Sequence, residues 1–105
     1  MYRQKYPPEL EYVPMQKHWE AMSDEALAAA AAKAETGAFT ALAARLLPRL
    51  RRMAEEYDLP GMERDDLVQE GFLGVMSAVR HYRPEVGDFL PYAIACARNS
   101  MNTAS

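Results

Sequence analysis

The residues best placed to do chemistry lie between Asp65 and Arg80. Asp66 and Glu70 are carboxylates four apart, so a helix would carry them on one face. Pairs of this kind can ligate a metal in a helical bundle, but they need further ligands from other helices, such as Glu-x-x-His. This chain offers none. His18 and His81 are far apart in sequence, and the single cysteine, Cys96, has no second thiol for a disulfide or a Cys-x-x-Cys metal site. No Ser-His-Asp set or phosphate-cradling glycine loop is present either. The expectation is a protein that is not an enzyme and needs no metal or cofactor.

Recognition is the chemistry that these residues suit better. On a helical wheel, Asp66, Gln69, Glu70, Leu73, Ser77 and Arg80 share one arc, with Met76 at its edge. A solvated face has no need of a leucine at its centre, although single exposed apolar residues are common. A central leucine, a flanking methionine and a rim of Asp, Gln and Glu make a small protein-binding patch. An ordinary solvated face is the competing reading, and the arc alone does not separate the two. The opposite arc carries Leu67, Val68, Gly71, Phe72, Gly74, Val75, Ala78 and Val79, which should be core. Two glycines there cost roughly 1 kcal/mol each against alanine, and a close helix-helix approach is the economical reason for them.

The elements that must position this helix follow from its flanks. Ser23 is a good N-cap, with Asp24 and Glu25 in the first turn. A first helix is predicted from there through the alanines to about Glu35, with Gly37 at the position after its end. A second runs from Ala38 to about Tyr57, and Pro48 should kink it or split it. Asp58-Leu-Pro-Gly61 is a turn signal. The third covers Asp65 to about His81. A loop at Arg83–Gly87 leads to Asp88, which caps a fourth helix with Pro91 in its first turn. On that helix Phe89, Leu90, Ala93, Ile94, Ala97 and Met101 can point inward, and Tyr92, Ala95, Arg98, Asn99 and Asn102 outward. Residues 1–22 read as an irregular arm rich in proline and aromatics, with a short helical turn near Gln16 to Ala21. The fold class is all-α, a small bundle of about four helices.

Composition bounds the rest. The 105 residues suffice for one core. The net charge of -3 differs from the positive balance of a protein that holds duplex DNA unaided, so any nucleic-acid contact should be local or assisted by a larger partner. No apolar run is long enough to span a membrane. Cys96 reads as a small buried hydrophobe in a reducing, cytoplasmic compartment.

Arg64-Asp-Asp-Leu-Val-Gln-Glu-Gly-Phe-Leu-Gly-Val-Met-Ser-Ala-Val-Arg-His-Tyr-Arg-Pro-Glu85 is similar to region 2 of the sigma-70 family of bacterial transcription initiation factors. Met22 to Leu27, Gly37-Ala-Phe onward to Tyr57, and Phe89-Leu-Pro-Tyr-Ala-Ile-Ala-Cys-Ala-Arg-Asn99 resemble the flanking parts of the same region. The likeness covers about Ser23 to Ser105 and is nearest the alternative, stationary-phase or sporulation type. It implies that the outer arc docks on the coiled coil of the largest subunit of core RNA polymerase, through Asp66, Gln69, Glu70, Leu73 and Met76 with Phe72 alongside. It further implies that the fourth helix meets the unpaired non-template strand of the promoter -10 element. The residues expected there are Tyr82, Arg83, Phe89, Tyr92, Arg98, Asn99 and Asn102. For Tyr82 and Phe89, core packing competes with that role. An anti-sigma factor is a further partner that the resemblance allows.

Ala95 and Cys96 stand where primary members of the family carry two adjacent tryptophans. The domain, residues 23–105, is expected to stop before the end of the -10 recognition segment, without the helix-turn-helix region that would read a -35 element. Two expectations result: part of a longer sigma factor, or a stand-alone sigma-like regulator that binds polymerase without promoter recognition.

Overall fold

The structure is a computed structural model that describes residues 19–57 and 63–104. Among these, all regular structure is helical: α1 (Asp24–Ala32), α2 (Ala38–Glu55), α3 (Arg64–His81), a single 3-10 turn (Pro84–Val86) and α4 (Phe89–Ala104). The expected all-α bundle is what forms. The predicted turn at 58–61 and most of the predicted arm, including residues 16–18 of its helical turn, lie outside the described residues.

α1 starts where the capping chemistry puts it. The Ser23 hydroxyl accepts the Ala26 N–H at 3.0 Å, and Asp24 and Glu25 occupy the first turn. Its end differs from expectation. The helix stops at Ala32, the Glu35 N–H reaches the Ala30 carbonyl at 3.1 Å, and the Ala34 N–H reaches the Ala31 carbonyl at 2.9 Å. This is a Schellman closure with Ala34 in the left-handed position at φ 60. Gly37 is also left-handed, at φ 86, but it is the N-cap of α2 and not the residue that closes α1.

α2 buries one stripe, Ala38, Leu42, Leu46, Leu50, Met53 and Ala54. Pro48 does not split it. Both Pro48 and Ala44 are exposed, so the carbonyl that loses its partner lies on the solvent side, where water can serve it. The leucines on either side continue to pack, and that burial holds the helix together.

α3 and α4 form the tightest pair. Gly71 faces Met101, Gly74 faces Ala97 and Tyr82 faces Phe89, so the two helices run antiparallel. A Cβ on Gly74 would fall 2.7 Å from the Ala97 Cα and strike the Cys96 carbonyl. Backbone meets backbone there, so the expected close approach is present. At Gly71 the nearest obstacle is the Met101 methyl at 2.7 Å, the end of a flexible side chain. α4 answers with a stripe of Phe89, Ala93, Ala97 and Met101, all fully buried.

Trp19, which the sequence assigned to the arm, is part of the core and only 7% exposed. Its indole lies over Gly37, where a Cβ would come within 3.0 Å of Nε1. Arg45 of α2 holds the segment that follows. It pairs with Asp24 at 2.9 Å and donates to the carbonyls of Trp19, Glu20 and Met22 at 3.0, 3.1 and 2.6 Å. A guanidinium suits this task because its donors fan out in one rigid plane.

Candidate protein and DNA contact surfaces

The outer arc of α3 is open. Asp65, Asp66, Gln69, Leu73, Met76 and Arg80 are exposed, while Leu67, Val68, Gly71, Gly74, Val75, Ala78 and Val79 are buried. Leu73 is 55% exposed and Met76 39%, which makes them two of the three large apolar side chains left in solvent among the described residues. The packed inner face fixes the helix, so the arc is presented rigidly. Phe72, expected on both the inner face and the docking set, is half-buried and packs against the core from the flank. Glu70 is half-buried on the other flank, towards α4.

That flank borders a groove of about 580 Å3. Glu70, Leu73 and Ser77 of α3 line one wall, and Cys96, Asn99 and Thr103 of α4 line the other, with Gly74 between them. Cys96 is therefore half-buried and not the core residue expected from its type. It follows Ala95 and precedes Ala97 on the shoulder of α4, one step off the buried stripe. Glu70 is the one charged residue among those that line the groove. Among the described residues no hydrogen bond or ion pair engages its carboxylate.

The residues expected to meet DNA lie in several different environments. Phe89 is fully buried and has no face to offer a base, so its place in the DNA set is corrected to core. The ring of Tyr82 meets it edge-on, with centroids 5.1 Å apart, and Tyr92 lies 5.8 Å from Tyr82. The Tyr82 hydroxyl donates to the Gly87 carbonyl at 2.6 Å and holds the 3-10 turn against α4. Burial pushes the Tyr82 phenol above its ordinary range, and Glu25, Asp88 and Glu85 add to the effect. Burial also raises Tyr92, with the Cys96 thiol beside it contributing and Arg83 opposing. Both phenols therefore stay neutral at physiological pH.

Arg98 and Asn102 lie on the far shoulder of α4 and turn to α2. Arg98 pairs with Glu56 at 3.1 Å across an exposed gap, and Asn102 accepts a hydrogen bond from the Tyr57 hydroxyl. Asn99 lies on the groove side. Arg83 is exposed before the 3-10 turn.

Two contacts had no signal in local pattern. One is the Arg45 clamp. The other is the Phe89 N–H, which donates to the Glu25 carboxylate at 2.8 Å, so the first amide of α4 is satisfied from α1. The expected local cap, Asp88, is adjacent and exposed. The carboxyl of Glu25 is held below the usual glutamate range, chiefly by that N–H, then by its own backbone amide and against the opposing effect of burial.

The described helices form an all-α bundle whose third and fourth helices meet at a glycine, with an acidic, leucine-centred arc outside. A family model described as Sigma-70 region 2 matches residues 42–104, from α2 to the end of α4. The match covers more than half of the chain, and the chain belongs to this family. Comparison with curated proteins and with solved structures returned no match. Membership gives the chain a role in transcription initiation, in a family whose region 2 domains are non-catalytic and bind core RNA polymerase and -10 promoter DNA. Among the described residues no helix is long and apolar enough to cross a membrane.

Proposed function

We propose that the chain docks on the coiled coil of the largest subunit of core RNA polymerase through the outer arc of α3, and contacts the promoter -10 element through α4. The observation that carries the docking reading is Leu73, an exposed leucine on a rigid helix, flanked by Met76 and rimmed by Asp66, Gln69 and Glu70. An apolar centre that loses its water on contact supplies affinity, and the acidic rim selects a basic partner. In a pull-down with core polymerase, Leu73→Arg and Asp66→Arg should each reduce retention at least tenfold while the fold persists by circular dichroism. Retention equal to wild type in both would sink the docking assignment.

The DNA half of the reading rests on Tyr92, Arg83, Asn99 and the partly exposed Tyr82, which can stack on or hydrogen-bond unpaired bases. Ala95 and Cys96, in place of a tryptophan pair, favour an alternative rather than a primary member of the family. A stand-alone regulator is the second reading. It is favoured by the basic side chain of α4, Arg98, being paired with Glu56, and by Asn102 being engaged by Tyr57. Promoter-directed transcription by the 105-residue chain with core enzyme would exclude it.

A further inference from the structure

We propose that Glu25 is a positioning residue for the proposed DNA edge: from α1 it holds the start of α4, and with it the pose in which Tyr82 and Tyr92 face an unpaired strand. This rests on the DNA half of the reading above and deepens it by adding α1, which lies outside the matched residues 42–104. The Phe89 N–H donates to a Glu25 carboxylate oxygen at 2.8 Å, across 64 positions of sequence. Phe89 is fully buried, so its amide is out of reach of bulk water and needs an acceptor from the protein. The local sequence does not supply one. Asp88 stands immediately before the helix, and a side chain there serves the second or third helical amide, not the first. The third helical residue is Pro91, which has no amide hydrogen.

A second hydrogen bond fixes the same junction from the other side. The Tyr82 hydroxyl donates to the Gly87 carbonyl, two residues before Phe89. The Tyr82 ring rests edge-on against Phe89, and Tyr92 lies beside it. The point where the 3-10 turn becomes α4 is therefore set by one contact within the junction and one from a distant helix, and both rings of the proposed edge are tied to it. Glu25 is itself held in place. Asp24 beside it pairs with Arg45 of α2, and Arg45 also takes the carbonyls of Trp19, Glu20 and Met22. A continuous polar line thus runs from α2 through the first turn of α1 to the first turn of α4. The role of Glu25 is indirect, since it acts through Phe89, whose ring is buried and offers no face to a base. The charges of Glu25, Asp88 and Glu85 all act on the Tyr82 phenol. Charge and pose at Glu25 are separated by a neutral acceptor of the same length, which glutamine supplies.

The test uses single strands selected from a random-sequence DNA pool by the wild-type chain bound to core polymerase. Core binding by the chain, and binding of the selected strand by the complex, are measured for wild type, Glu25→Ala, Glu25→Gln and Asp88→Ala. Glu25→Ala should weaken strand binding at least fivefold and leave core binding within twofold of wild type. Glu25→Gln keeps an oxygen for the Phe89 N–H and should bind the strand within twofold of wild type. Asp88→Ala should bind it no less tightly than wild type. Equal loss of core and strand binding in Glu25→Ala would make Glu25 a residue of the fold alone and overturn the proposal. Strand binding by Glu25→Ala equal to wild type would overturn it too, as would Glu25→Gln as weak as Glu25→Ala, or a matching loss in Asp88→Ala. In each of these cases the DNA reading stands. If wild type does not bind core, or the complex selects no strand beyond those that core selects alone, the DNA reading fails and this inference with it.

Discussion

At the scale of single residues, exposure and backbone conformation mattered more than residue type. Leu73 is a leucine by composition and a surface residue by position, and Phe89 is the reverse of what a DNA-stacking role needs. The wheel anticipated Leu73 because period and face are local properties of a helix. The wheel also placed Phe89 on an inward face; the DNA role set beside that reading came from the resemblance, and full burial of the ring decides for the core. Ala34 is the contrary case. A left-handed alanine costs roughly 1–2 kcal/mol, and nothing in a run of alanines marks which one will bear it. Ala34→Gly should therefore stabilise the fold by about 0.5–1 kcal/mol, less than the full penalty because glycine loses more freedom on folding. Urea denaturation at neutral pH measures it, and an unchanged or lower midpoint would contradict the assigned conformation.

At the scale of elements, α3 and α4 are coupled by their glycines and α1 and α4 by one carboxylate. The two glycines should respond differently to the same change. Gly74→Ala drives a methyl into backbone and should cost about 3 kcal/mol or more, towards the upper end for overpacking. Gly71→Ala meets a methionine methyl that can swing away, so about 1 kcal/mol or less is expected. Equal losses in denaturant melts would refute the backbone contact. Glu25 should be visible through pH. Its folded-state pKa is depressed, so its contribution is complete above the unfolded glutamate value of about 4.3. That contribution is lost as the pH falls through the lowered folded value. Glu25→Gln should melt below wild type at neutral pH, and the gap should close in acid. A gap that persists under acid conditions would assign the effect to packing and not to the carboxylate.

At the scale of the whole molecule, the bundle is closed by a segment that precedes its first helix. Trp19 lies on Gly37, and Arg45 draws three carbonyls and Asp24 into one cluster. Trp19→Ala should cost about 3–5 kcal/mol, as for a buried aromatic in any core. Arg45→Lys should lower the thermal midpoint nearly as far as Arg45→Ala, because one ammonium cannot reach four diverging acceptors. If lysine rescues most of the loss, charge alone holds the segment. None of these changes touches the α3 arc, so core binding by the folded fraction should be retained in each.

By itself the sequence determined the helical class, the four helices to within a few residues, the inward and outward faces of α3, and the resemblance to sigma-70 region 2, which the family match bears out over residues 42–104. Each of these depends on period, caps and local motif, which are properties of neighbours in the chain. Tertiary structure decided which residues outside that range come together. It closed α1 at Ala34, carried α2 through Pro48, brought Trp19 into the core, and capped α4 from Glu25. It also divided the candidate DNA residues among a buried ring, a paired shoulder and a groove. Those outcomes turn on contacts between elements distant in sequence, and no local period encodes them. The carboxylates that began as candidates for chemistry, Asp66 and Glu70, share one helix face as their spacing requires. Only the packing of α4 against Gly74 set Glu70 at the edge of a groove and left Asp66 in open solvent.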